Sequence, residues 1–218
     1  MKKGLINSTN GIKQLLKLSG LFKKITSSSY DEELLITART LLQVVDLIDH
    51  YTYSHSLRVA SLADCIALKM GLRTELRKTL HDGALLHDVG KIGVGKYILC
   101  KEGPLSDDEW LLLKRHPLIG YEMLENMGYS NGVLSIVRHH HEHYDGKGYP
   151  DGLKGEEIPF LARIISVADS FDAMTTKRPY RSAYSTYKTL EEIKQCSGSQ
   201  FDPDVAATIN NELKYVPH

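Results

Sequence analysis

Two neighbouring residues, His87 and Asp88, stand ahead of Val89-Gly90-Lys91 and could do chemistry together. Adjacent residues on a helix point about 100° apart, so they do not pair across one helix face. At a helix end, however, both can converge on an ion cluster. Imidazole supplies a neutral nitrogen, and a carboxylate can bridge two cations and offset their charge. Lys91 follows on the glycine turn, placed to meet an anion. Taken alone the pair is weak, because a histidine beside an aspartate is commonly just solvated or hydrogen-bonded. The plain alternative for Lys91 is capping the carbonyls of the preceding helix.

Repetition strengthens the case. The chain has 10 histidines, and nine lie between His50 and His143. His55 falls inside a second helix, His116 closes a fourth, and His139-His140-His141 ends the helix over 131–141. Asp169 interrupts the apolar stretch Ala162-Arg163-Ile164-Ile165-Ser166-Val167-Ala168, where an acid is costly to bury unless paired or bound to metal. Five helices thus each offer a histidine or aspartate to one centre, which is how helical bundles build dinuclear sites. For any single histidine the plain alternative is an unrelated ring with its own hydrogen bond; the group together favours metal. Without a thiolate set, mixed imidazole and carboxylate suits Fe, Mn, Zn, Ni or Co.

The elements that must carry these residues are helical. Leu34, Leu35, Ala38, Leu41, Leu42, Val45 and Ile48 recur at helical spacing behind Asp31-Glu32-Glu33. A second helix is predicted from Thr52 to Gly71, and a third from Thr74 to His87-Asp88. Ser106-Asp107-Asp108-Glu109 is a capping box that opens a fourth, with Trp110 read as core. Pro117 restarts the chain into a helix ending near Gly128. Residues 145–152 form a loop. Pro159 opens a helix through Met174, and two more cover 186–196 and the stretch after Asp202-Pro203. Alternating strand patterns are nearly absent, so the fold class is all-α, a helical bundle with the candidate metal site in its core.

Composition is that of an ordinary globular chain, 42% apolar and 25% charged over 218 residues. That length suits one domain, with residues 31–218 as the body and 1–30 as a basic segment or connector. No apolar run reaches the roughly 18 residues that cross a bilayer, and no signal peptide is evident. Cys65, Cys100 and Cys196 are spread out and never form a CxxC pair, which favours a reducing, cytoplasmic setting. Net charge is zero, yet residues 1–30 hold six lysines and no acid, leaving the body at −6. A mildly acidic body is a poor general nucleic-acid binder. Ile12, Leu15, Leu16 and Phe22 could line one side of an N-terminal helix. A connector or packed helix is the preferred reading there, and contact with an anionic membrane the sharper one.

From about Asp49 to Pro203 the residues resemble the HD-GYP phosphodiesterases, a bacterial branch of the HD metallohydrolases. The resemblance rests on Tyr51-Thr52-Tyr53-Ser54-His55-Ser56 with Arg58-Val59, and on Leu85-Leu86-His87-Asp88-Val89-Gly90-Lys91-Ile92. It continues through His116-Pro117, His140-His141-Glu142 and Asp145-Gly146-Lys147-Gly148-Tyr149-Pro150. Ala162-Arg163-Ile164-Ile165, Asp169-Ser170-Phe171-Asp172-Ala173, Arg178-Pro179-Tyr180-Arg181 and Phe201-Asp202-Pro203 complete it. The ordered set with its full GYP loop is far more specific than an HD pair.

That resemblance implies hydrolysis of the second messenger cyclic di-GMP, with some members acting on related cyclic dinucleotides. It implies His55, His87, Asp88, His116, His140, His141 and Asp169 as metal ligands, with Asp88 bridging. Lys91 would contact the scissile phosphate, and Arg178 and Arg181 would hold substrate phosphate or guanine. Tyr149 and the Gly146–Gly148 backbone would shape the pocket floor. Tyr51 stands where some members carry a third-metal glutamate, so two divalent ions are expected, iron first, then manganese, with zinc, nickel or cobalt also compatible. Gly95-Lys96 and Glu102-Gly103 depart from the Pro-Asp and Pro-Gly common in the family, and no sensor domain is expected ahead of the catalytic part. The expected reaction is in-line attack by a hydroxide shared between the metals, giving pGpG, GMP or both. Rival readings are hydrolysis of another nucleotide, and a cyclic-dinucleotide receptor that signals through contacts. Diguanylate cyclases of the GGDEF type are implied partners for the GYP loop, and a homodimer stays open.

Overall fold

The computed structural model describes residues 52–176 and 183–213, together with helical backbone at positions 37, 38, 40, 41, 43 and 44. The segment 1–30 with its expected amphipathic stripe, and Arg178 and Arg181, lie outside the described residues.

The regular elements among the described residues are all helices, with one isolated bridge between Ser197 and Phe201. In chain order they are α1 (Thr52–Lys69), α2 (Thr74–Leu86), a 3-10 turn (Val89–Gly93), α3 (Lys96–Leu99), α4 (Asp107–Leu113), α5 (His116–Asn126) and α6 (Asn131–His139). A second 3-10 turn (Gly155–Glu157) precedes α7 (Phe160–Thr175), α8 (Thr186–Gln195) and α9 (Pro203–Leu213). The all-α expectation holds. No helix among the described residues is long and apolar enough to cross a membrane.

Local chemistry explains the helix boundaries. Ser106 accepts from the Glu109 amide while the Glu109 carboxylate takes the Ser106 amide, so the capping box forms as predicted. Ser130 and Ser185 cap α6 and α8 more simply, each accepting one amide, from Val133 and from Lys188. Asp202 Oδ1 accepts from the Asp204 and Val205 amides, and Pro203 fills the first position of α9, where no amide hydrogen is needed.

α1 lies against α2 and α7, while α6 is flanked by α2, α5 and α7. Leu80, Leu86, Leu124, Ile136, Ile164 and Ile165 are fully buried between them. Truncating any one to alanine would cost about 2–5 kcal/mol. The end of α2 meets the start of α5 at Gly90, where a β-carbon would lie 1.9 Å from the His116 carbonyl oxygen. Only glycine permits that approach, and it brings His87 and Asp88 against His116.

Two expectations need correcting. His116 does not close α4: the chain turns at Lys114 and Arg115, and His116 is the first residue of α5. Trp110 is not core. It is 49% exposed, Leu111 and Leu112 are exposed with it, and α4 buries no residue. A helix of only 7 residues at the rim has too little face to turn inward, and apolar type alone does not guarantee burial.

Candidate metal centre

Helix ends supply most of the cluster. His87 and Asp88 follow α2, His116 begins α5, and His140 and His141 follow α6. His55 comes from within α1 and Asp169 from within α7. All seven sequence-predicted ligands face one region. His55, His87, Asp88, His116 and His140 are buried, and Asp169 lies close to the His55 ring.

Two groups of side chains converge closely enough to hold a cation each. One is Asp88, His116, His140 and His141; the other is His55, His87 and Asp88. Asp88 belongs to both. Its Oδ1 is 3.3 Å from His116 Nε2, and its Oδ2 is 3.4 Å from His87 Nε2 and 4.0 Å from His55 Nε2. Asp169 Oδ1 joins the His55 side, 3.1 Å from Nε2.

The ring nitrogens test whether a cation fits. Nδ1 of His87, His116 and His140 lies 2.7, 2.8 and 2.9 Å from the carbonyl oxygens of Ala84, Leu113 and Val137. A carbonyl oxygen only accepts, so Nδ1 carries the hydrogen and a neutral ring presents its Nε2 lone pair to the centre. His116 Nε2 and His140 Nε2 are 3.2 Å apart. His87 Nε2 is fully buried with no hydrogen-bond partner. Lone pairs converging in this way beside buried carboxylates suit a divalent cation.

Charge in the pocket follows the same division. Burial lowers His141 to about 3 and pushes His140 well below its usual value, each helped by neighbouring imidazoles. Burial opposes a charge on His55 too, but bonds to Asp169 and Asp172 outweigh it and raise that ring to about 9. Burial would raise Asp88, yet the Lys91 ammonium, His87 and His116 hold it well below the carboxylate range. Asp169 is likewise kept low by His55 against its burial. The metal-free cluster therefore holds a proton at His55, which a cation would displace.

Lys91 Nζ sits 2.6 Å from Asp88 Oδ2, and its side chain is 23% exposed, so its ammonium reaches the edge of the cluster. Tyr149 stacks on His141 with ring centroids 4.8 Å apart, and the Lys114 ammonium lies 5.4 Å from the centroid of the same ring. Burial, then Asp88 and Asp169, raise the Tyr149 phenol and keep it protonated. Gly148 lets the loop lie on the end of α6: a β-carbon there would come within 2.2 Å of the His143 nitrogen. Gly146 turns the chain at φ 84° and packs beside Lys154.

Several residues with evident work were missed. Glu142 is buried and its Oε1 accepts from the Asp151 and Gly152 amides, tying down the loop that carries Tyr149. Arg138 and His139 grip the Asp151 carboxylate from outside. Asp172 accepts from His55 Nδ1 at 2.7 Å and from Arg58. The available signal was spacing: His55 with Arg58, and Asp169 with Asp172, are both i,i+3 pairs that share a helix face.

Comparison with known proteins then places the chain. Residues 15–205 match the family profile described as HD domain. The chain belongs to the HD domain family. Its Gly148-Tyr149-Pro150 loop sets it in the HD-GYP branch of that family. This HD domain is 41% identical over 170 residues to a cyclic di-GMP phosphodiesterase response regulator, RpfG, of Xanthomonas campestris, covering 77% of the chain and 45% of the relative. It is 37% identical over 175 residues to a 3'3'-cGAMP-specific phosphodiesterase of Vibrio cholerae, covering 80% and 38%. The HD domain chain thus spans less than half the length of these curated relatives. A solved HD-GYP-type protein from Bdellovibrio bacteriovorus, Bd1817, superposes with a TM-score of 0.64 at 19% identity, covering 95% of this chain and 69% of that one, which speaks to the fold.

Proposed function

We propose that this HD domain is a metal-dependent phosphodiesterase that opens cyclic di-GMP to pGpG, GMP or both. The observation that carries the reading is the buried carboxylate of Asp88, shared by two groups of ligands, with the Lys91 ammonium beside it at the exposed edge. Relatives at 41% and 37% identity named as cyclic dinucleotide phosphodiesterases support it.

His55, His87, Asp88 and Asp169 would hold one divalent ion, and Asp88, His116, His140 and His141 the other. Iron is the first choice and manganese the second. Ions bound there supply Lewis acidity toward a phosphoryl oxygen and make water a nucleophile at neutral pH. The protein's own groups do the rest. Lys91 offers a fixed positive charge where a phosphodiester reaches the cluster, stabilising charge that builds on its oxygens. Tyr149 keeps the His141 plane in place and excludes water from that side. Arg178 and Arg181 would grip the second phosphate or a guanine, as guanidinium forks suit.

The reading takes residues 31–218 as the catalytic unit, 1–30 as a connector, and the cytoplasm as its setting. The GYP loop over 145–152 would be the contact for diguanylate cyclases of the GGDEF type. A mixed cyclic dinucleotide is the second substrate to test, because one relative is named for cGAMP.

Anaerobic purification, metal analysis, and turnover of cyclic di-GMP and 3'3'-cGAMP with added Fe(II) or Mn(II) form the test. About two metals per chain with linear product would support the reading. Two metals without cleavage of either dinucleotide would turn it to a receptor, and a chain that takes up no metal would refute it.

A further inference from the structure

We propose that Asp172 is the positioning residue for one half of this cluster, and that it makes the two metal positions unequal. The inference rests on the metal-holding reading above.

Three rings take their orientation from the backbone. His87, His116 and His140 lie at helix boundaries, and each gives its Nδ1 hydrogen to the carbonyl three residues earlier. Those carbonyls belong to the last turns of α2, α4 and α6, where the helix itself leaves acceptors unused. His55 differs: it lies inside α1, and its Nδ1 meets a carboxylate.

That carboxylate comes from α7. Asp172 is 5% exposed, and its Oδ2 sits 2.7 Å from His55 Nδ1. Arg58, one turn beyond His55, fixes that carboxylate with two bonds, Nε to Oδ1 and a terminal nitrogen to Oδ2 at 2.9 Å. A carboxylate behind an imidazole raises the basicity of the far nitrogen more than a neutral carbonyl does, and such partners govern metal affinity. The half built from His55, His87 and Asp88 therefore has charged support, while His116 and His140 in the other half lean on neutral carbonyls. The two positions fill with different affinities, and Asp172 controls only the first.

The test is titration of the metal-free 218-residue chain with Mn(II) alone, following free Mn(II) by electron paramagnetic resonance. The unaltered chain should take up two equivalents. Asp172→Asn should keep one at unchanged affinity and weaken the other about 10–100-fold. Asp172→Glu, which retains a carboxylate acceptor, should recover part of the loss. Arg58→Gln should weaken the same equivalent by less, and it decides the matter if Asp172→Asn does not fold, since the Arg58 side chain is 42% exposed. Melting of the metal-free variants supplies the control for a merely structural role. Equal weakening of both equivalents, or no change in either, would overturn the assignment. No uptake by the unaltered chain would instead overturn the metal-holding reading itself.

Discussion

His116 and His140 point their Nε2 atoms at one another across 3.2 Å, each with Nδ1 already committed to a backbone carbonyl. Two lone pairs so placed repel unless a proton or a cation lies between them. A divalent ion between them would satisfy both, and the fold holds the two rings ready for it.

Asp88→Ala should abolish metal binding and turnover together. Both ligand groups include Asp88, so its loss opens both at once. Metal analysis and product assay on the same preparation check this, and full turnover by the variant would sink the scheme.

Lys91→Met keeps most of the side-chain volume and removes the charge. We expect two metals to remain and kcat to fall about 10²–10³-fold, as for loss of one transition-state donor. If Lys91 only capped helix carbonyls, the melting temperature would drop while kcat held.

Gly148→Ala would force a methyl group to within 2.2 Å of the His143 nitrogen and 2.5 Å of Glu142 Cα. Both are backbone atoms and cannot swing aside. The expected cost is about 1–3 kcal/mol, with Tyr149 displaced from His141. Denaturant melts report the first effect, and weaker metal retention the second.

Stripped of metal, the chain should be most stable near neutral pH. Burial lowers His141 from 6.5 to about 3. Between those values the unfolded chain binds a proton that the folded one refuses, so stability falls as the solution is acidified below 6.5. His55 behaves oppositely. Its pKa is raised from 6.5 to about 9 by Asp169 and Asp172 against its burial, so its contribution is complete below 6.5 and lost as pH rises toward 9. Urea midpoints measured in chelator from about pH 5 to about pH 9 should pass through a maximum. A steady rise across that range would contradict the two opposed titrations.

The helices were legible because their ends carry local chemistry. The capping box at Ser106, the cap at Asp202 and the proline at 203 act within a few residues, and the chain text shows them directly. α3 has only 4 residues, too few for a periodic pattern to register. The seven histidines and aspartates of the cluster were flagged by their number and by the family motifs, and the fold brings them together. What Asp172 does was harder to read: i,i+3 spacing puts it on the Asp169 face, but its partner His55 is 117 positions away. Trp110 was misread for the opposite reason: its type suggested the interior, while exposure depends on what packs against α4.

Trp110 is the only tryptophan in the chain, and half of it faces solvent. α4 ends at Leu113, whose carbonyl takes the hydrogen of His116 Nδ1. A single indole emitter therefore sits on the same short helix that anchors one ligand ring. Any shift of α4 on metal uptake would appear in the intensity and colour of that emission, in the unlabelled protein and in real time.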